Sequence, residues 1–238
     1  MDLSTLRALI GEGCSTVFLG GAGVSTASGI PDFRSPSGLA EAKKEFGVGY
    51  ETILSHSYFF AHPKSFYSFY WKSMVYESAK PNKAHRALFE FGKTHPLRVI
   101  TQNIDGLHEL AGSPNVLPLH GSVYSYSCTR CRRHYFLNEL AHDGVPHCSC
   151  GALIRPDVVL YGEPLDQNVL EAAVEAVSSA DLLIVGGTSL NVSPANALPS
   201  LFHGKASLLI NKEKTPMDED FDVVIREDVG DVLEELLR

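Results

Sequence analysis

Gly20 to Ser35 reads G-G-A-G-V-S-T-A-S-G-I-P-D-F-R-S, and it concentrates residues suited to gripping a phosphorylated ligand. Glycines let a backbone turn sharply and approach a ligand closely. Backbone N–H groups at a strand-to-helix turn favour a bound phosphate. The plainer reading is a tight turn packing a strand on a helix, and the glycines alone do not separate the two. The dinucleotide fingerprint G-x-G-x-x-G is half present: Gly21 and Gly23 fit, but Thr26 stands at the third glycine. No acidic residue closes a second strand about 20 residues further on, where the usual ribose-binding carboxylate sits. The stretch therefore does not match an ordinary dehydrogenase. Behind it, Ile30-Pro31-Asp32-Phe33-Arg34 supplies a stiff turn, a carboxylate, a ring and a guanidinium that could close over a ligand.

Further groups follow. Thr101-Gln102-Asn103-Ile104-Asp105-Gly106-Leu107-His108 could hydrogen-bond an amide or a ribose, or could be a turn in which Asp105 caps a helix. His120 precedes Gly121 at the end of an apolar segment, one of 10 histidines, and imidazole is the natural general base near neutral pH. Cys128-x-x-Cys131 and Cys148-x-Cys150 are separated by 16 residues and read as a tetrathiolate zinc site. The second pair is one residue short of C-x-x-C, which makes His147 a possible substitute ligand. Four thiolates leave no open position, so this zinc would be structural. Cys14 stands alone as a small buried hydrophobe.

These residues need a scaffold, and the apolar pattern supplies one. Strands are predicted at 15–19, 97–101, 116–119, 181–185, 206–210 and 221–225. Helices are predicted at 4–13, 82–92, 166–180, after Ser193-Pro194 and at 231–237, with an aromatic-rich helical stretch over 57–76 broken at Pro63. Strands alternating with helices argue an α/β fold, a Rossmann-like parallel sheet with helices on both faces. Ligands bind such sheets beyond the strand C-terminal ends. Gly20–Ser25, Thr101–Asp105, His120–Gly121, Gly187–Ser189 and Asn211 all fall there, and all are rich in Gly, Ser, Thr, Asn, Asp or His.

The 238 residues can bury a full core, and composition is ordinary, with 44% hydrophobic and 20% charged residues. A net charge of −8 argues against nucleic acid and suits a lysine-rich protein partner. No secretory leader and no membrane span are read, so a cytoplasmic location is expected. A zinc-ribbon nucleic-acid binder is disfavoured by charge, since the basic run Arg130–Arg133 is short.

Together GAGVSTASGIPDFRS, TQNIDGLH, LHG, the cysteine pairs, RPDVVLYGE, GTSLNV and INKEKT resemble the sirtuins, NAD-dependent protein-lysine deacylases, from Gly20 to about Val229. The chain looks like a minimal bacterial or archaeal member. The resemblance implies a Rossmann-like NAD-binding domain (1–35, 81–121 and 158–238). A small domain would come from a helical insertion (36–80) and a zinc-binding insertion (122–157). It implies that Ala22, Gly23 and Thr26 line the phosphates, while Phe33 and Arg34 fold over NAD. Gln102 and Asn103 would hold the nicotinamide ribose, Ile104 and Asp105 the carboxamide. Thr188 and Ser189 would serve the phosphate and adenosine side. Asn211, Lys212 and Glu213 would meet the adenosine ribose, with Asp228 or Val229 at adenine. His120 is the implied general base, relaying a proton from the ribose 2′-hydroxyl after the acetyl oxygen attacks the anomeric carbon. Val159, Tyr161 and Gly162 would bind the acyl-lysine, with Tyr161 where the family usually has Phe. Cofactors are then NAD as co-substrate and one structural Zn²⁺ held by Cys128, Cys131, Cys148 and Cys150. The implied reaction is deacetylation of an acetyl-lysine protein or peptide, releasing nicotinamide and O-acetyl-ADP-ribose. Mono-ADP-ribosyl transfer and long-chain deacylation are the alternatives, and a monomer without nucleic acid or membrane is expected. Relatives that prefer succinyl-lysine carry Tyr-x-x-Arg. Aligning that motif with Tyr70-Trp71-Lys72-Ser73 puts Ser73 in the arginine position and predicts poor desuccinylation.

Overall fold

A computed structural model describes residues 3–11, 13–32 and 43–237. Six parallel strands form one sheet: β1 (Thr16–Gly20), β2 (Leu97–Thr101), β3 (Val116–Pro118), β7 (Leu182–Gly186), β8 (Ala206–Ile210) and β9 (Val223–Ile225), in the order β3-β2-β1-β7-β8-β9. Chain order reverses between β1 and β7, the switch point at which such sheets bind ligands. The register sets Gly20 beside both Thr101 and Gly186, so three strand ends open together there.

Burial on both faces explains the near-continuous apolar runs. Phe18, Val99, Leu182, Ile184 and Leu208 point to one face. There they meet α1 (Leu3–Gly11), α5 (Lys83–Gly92) and α8 (Val229–Leu236). Val17, Leu19, Ile100, Leu183, Val185 and Leu209 point to the other, against α7 (Gln167–Ser179), the single turn α6 (Leu107–Leu110) having followed β2 in the chain. Caps fix the helix starts: Asp166 accepts from the N–H groups of Asn168 and Val169, and Asp228 from Gly230.

A second, antiparallel sheet has the order β5-β4-β6, from β4 (Gly121–Cys128), β5 (His134–Phe136) and β6 (Ile154–Val158). The sequence pattern does not predict it. It packs on the aromatic helices α3 (His56–Ala61) and α4 (Pro63–Ser73), which follow the single turn α2 (Tyr50–Ile53). Phe59, Phe66, Tyr67 and Tyr70 are fully buried, so the aromatic stretch is core.

Two expectations are corrected. The glycine turn leads into two short 3₁₀ turns, Ala22–Val24 and Thr26–Ser28, rather than an α-helix. The helix expected after Ser193-Pro194 is likewise two 3₁₀ turns, Ala195–Ala197 and Pro199–Leu201. In both places the stretch is only a few residues long, too short to repay the nucleation of a regular α-helix. No helix among the described residues is long and apolar enough to cross a membrane.

Candidate active site and metal centre

Close backbone approach explains the glycines at the switch point. The Gly21 N–H donates to Gly186 O at 3.1 Å and the Gly23 N–H to Gly187 O at 2.8 Å. A Cβ at Gly23 would sit 2.8 Å from Gly187 Cα, and one at Gly187 2.6 Å from Val24 N. This corrects the expectation that the turn offers its N–H groups freely, because those of Gly21, Gly23, Val24 and Ser25 are spent on protein carbonyls. The glycines bring the end of β1 against the end of β7, and the ligand space opens beside that contact.

That space is a cavity of about 260 Å³. It brings together Ala22, Gln102, Asn103, Ile104, Asp105, His120, Val159, Tyr161 and Gly162 from the sequence-based set. Thr188 reaches its edge through a 3.1 Å bond from Gln102 Nε2 to Thr188 Oγ1. Gly23, Thr26, Ser189, Asn211, Lys212, Glu213, Asp228 and Val229 do not line it. Asn211 is at the end of β8, its amide donating to Glu213 O, while Lys212 pairs with Asp228 at 2.9 Å. Phe33 and Arg34 lie outside the described residues.

Hydrogen bonds knit the two polar loops. Ser25 Oγ donates to Asp105 Oδ2 at 2.7 Å, and Asn103 Nδ2 donates to Gly21 O and Ser25 Oγ, both at 3.0 Å. Asp105 Oδ1 accepts from the Leu107 N–H, so the helix-capping reading and the ligand-binding reading hold together. Burial raises the Asp105 pKa, against the two hydrogen bonds that lower it. His120 Nδ1 donates to Gln102 O at 2.7 Å, which leaves Nε2 as the basic nitrogen of the neutral ring. The Val159 N–H in turn donates to His120 O at 2.9 Å. Gly121, at φ +79°, permits this approach, since a Cβ there would strike Asp157 O.

Of the stretch aligned with the acyl-pocket motif, Tyr70 lines the cavity, joined by Met74 one turn on; Lys72 and Ser73 do not line it. Lys72 Nζ instead pairs with Glu45 at 2.5 Å. Tyr50 and Leu54 also line the cavity and carry no sequence motif strong enough to single them out, and Glu163, the last residue of RPDVVLYGE, joins them. Tyr161 donates its hydroxyl to Tyr50 Oη at 3.3 Å.

Sequence reasoning also missed a partner for His108. Its ring lies 4.6 Å from that of His85, beneath the loop that carries Asp105, and both are buried. Adjacent Asn82 donates to Val24 O and Ser28 Oγ, tying this pair's helix to the glycine turn.

Cys128, Cys131, Cys148 and Cys150 converge with their sulfurs all within 4.8 Å of one another. Tetrahedral zinc with bonds of about 2.3 Å spaces sulfurs by roughly 3.8 Å, so the set fits. His147 is not among them; its Nδ1 donates to Val145 O. The shortened second pair therefore serves without a substitute.

The Sir2 family profile matches residues 21–194. The chain belongs to the Sir2 family. An NAD-dependent protein deacetylase of Clostridium acetobutylicum is 45% identical, covering 99% of this chain and 98% of its own length. One of Clostridium perfringens is 48% identical, over 97% and 96%. Among solved structures, a Sir2 homolog–NAD complex superposes with TM-score 0.89 at 38% identity, covering 100% of this chain and 93% of that one. A Sir2 bound to acetylated peptide superposes with TM-score 0.85 at 35% identity, over 100% and 98%. The Sir2 assignment agrees with the parallel sheet, the switch-point cavity and the four-cysteine cluster.

Proposed function

We propose that this chain is an NAD-dependent protein-lysine deacetylase in which His120 is the general base and Val158–Glu163 receives the acetyl-lysine. The observation that carries it is a single cavity lined by His120, the Gln102–Asp105 loop and the Val159–Gly162 segment. NAD supplies the ADP-ribosyl group that accepts the acetyl, with release of nicotinamide and O-acetyl-ADP-ribose. The chain's own residues do the rest. Asp105, held by Ser25 and Leu107, offers a carboxylate to the nicotinamide carboxamide. Asn103 and Gln102, which line the cavity, would hold the nicotinamide ribose. His120 takes a proton at Nε2, because Nδ1–H is committed to Gln102 O. Ala22, Gly23, Thr26, Thr188 and Ser189 serve the phosphates. Asn211, Lys212, Glu213, Asp228 and Val229 serve the adenosine end. Ala22 lines the cavity, and the others follow the strand ends outside its lining. The domain division given above, with the small domain contributing Tyr50, Tyr70 and Met74 to the acyl side, is part of this reading.

The ionisable acidic and basic side chains that line the cavity among the described residues are Asp32, Asp105, His120 and Glu163. Three are acidic, and no lysine or arginine joins them, so an acyl chain ending in a carboxylate meets no described cation. Acetyl and longer neutral chains are favoured over succinyl.

The test is incubation with NAD and a peptide carrying acetyl-, octanoyl- or succinyl-lysine. Nicotinamide release that depends on the acetyl peptide supports deacetylation. ADP-ribose left on protein would favour a transferase instead, and succinyl turnover equal to acetyl would refute the acyl preference.

A further inference from the structure

We propose that His56, Arg155 and Glu163 are positioning residues that hold Val158–Glu163 in the shape that receives the acyl-lysine, with His56 extending this control to the helical insertion. The inference rests on the reading that Val159–Gly162 binds the acyl-lysine.

Glu163 is the hub. Its Oε1 accepts from Arg155 Nη1 and from His56 Nδ1, both at 2.7 Å. Its Oε2 accepts from Arg155 Nη2 at 2.8 Å and from the Leu160 N–H at 3.0 Å. The Glu163 N–H returns to Leu160 O at 2.9 Å, closing the turn. Arg155 Nη2 also donates to Val158 O at 3.0 Å, so one guanidinium pins both ends of the segment. Charge-assisted bidentate pairs of this kind fix geometry as well as energy.

The helical insertion grips the same segment from the side. The Tyr161 N–H donates to Leu54 O at 2.9 Å, and the His56 N–H donates to Tyr161 O at 3.0 Å. Ser55 and Tyr161 form a parallel bridge. The His56 ring packs on Phe60 at 4.9 Å and reaches Glu163 from there. Neither His56 nor Arg155 lines the cavity, whereas Glu163 and Tyr161 do. The two therefore act through the segment rather than on substrate. Because the His56 side chain is 52% exposed, its removal leaves no buried hole, which separates positioning from bulk stability.

The zinc-loaded protein is assayed with acetyl-lysine peptide and NAD, comparing Glu163→Gln, His56→Ala and His56→Asn. The peptide KM rises about tenfold in Glu163→Gln and about threefold in His56→Ala, while NAD KM and kcat at saturating peptide stay within about twofold. His56→Asn keeps an amide donor near the Nδ1 position and restores the wild-type KM. Unchanged peptide KM in both His56→Ala and Glu163→Gln would overturn the proposal. So would a fall in kcat and Tm with both KM values rising together, the mark of a merely structural contact. Hydrogen exchange separates this from failure of the underlying reading. Peptide that protects residues elsewhere than 158–163 in the wild type refutes the substrate site. Leu160 and Tyr161 amides exchanging as slowly in free Glu163→Gln as in wild type refute the clamp.

Discussion

His120 and Gln102 meet through a 2.7 Å bond from Nδ1–H to a backbone carbonyl. A carbonyl can only accept, so the bond fixes the neutral tautomer and leaves the ring's lone pair at Nε2. Gln102 is itself anchored, its side chain donating to Thr188 across the switch point. His120→Ala should therefore lower kcat for deacetylation by about 10²- to 10⁴-fold, the usual worth of a positioned base. The ring is half-buried, so Tm and zinc content should hold. A variant with wild-type kcat would move the base elsewhere.

Much of this was legible because buried parallel strands read as apolar runs, and their polar C-terminal ends stood out against them. His120 could be found by position alone. The β4–β6 sheet could not, because β4 is rich in Gly and Ser, β6 carries Arg155, Pro156 and Asp157, and β5 spans only three residues, so no apolar run marks them. The register of α4 was also hidden. Nearly every residue from Phe66 to Trp71 is aromatic, so only packing reveals that Tyr70 and Met74 face the cavity while Lys72 faces solvent. The glycine turn looked like a phosphate cradle built of free N–H groups, but the strand-end contact with Gly187 uses them. His56 and Glu163 stand 107 residues apart, and nothing in their local sequence announces the pair.

Gly23 tests that strand-end contact. An added Cβ meets Gly187 Cα at 2.8 Å and Gly187 O at 3.0 Å, and both neighbours are backbone. Relief requires β1 and β7 to separate. Gly23→Ala should cost about 1–3 kcal/mol by overpacking, lowering Tm by roughly 3–10 °C for a chain of this size. Calorimetry that finds no shift would mean the turn has room to move.

Zinc should matter for activity although it stands outside the cavity. Cys128 pairs in register with Ile154, and the β6 strand that begins there leads straight into Val158 and Val159. Losing the metal leaves four thiols to repel or rearrange and removes the module's main support. Metal analysis should give one zinc per chain. Chelation or Cys131→Ser should abolish deacetylation, and zinc should restore it after chelation. Full activity in zinc-free protein would show that β6 stands without it.

The His85–His108 pair sets the acid limit of stability. The Asn82 N–H donates to His85 Nδ1 at 3.3 Å, so neutral His85 carries its proton on Nε2. Burial, then the nearby Arg86 charge, lowers His85 to about 4. Burial, then His85, lowers His108 to about 3. The unfolded chain protonates both near 6.5, while the folded chain resists, so stability is complete above that pH and falls as pH drops from 6.5 towards 4. At pH 5 the loss is about 2 kcal/mol per histidine, about 4 kcal/mol for the pair. Glu163 acts in a lower window. Burial raises its pKa, but bonds from Arg155, His56 and Leu160 outweigh that and hold it at about 2, so its contribution is lost only below about 4.5. Urea unfolding at pH 7.5 and pH 5.0 isolates the histidines. The wild type should weaken steeply between the two, and His108→Leu should lose about half of that slope. An equal slope in the variant would mean that His108 is already protonated or already wet in the folded protein.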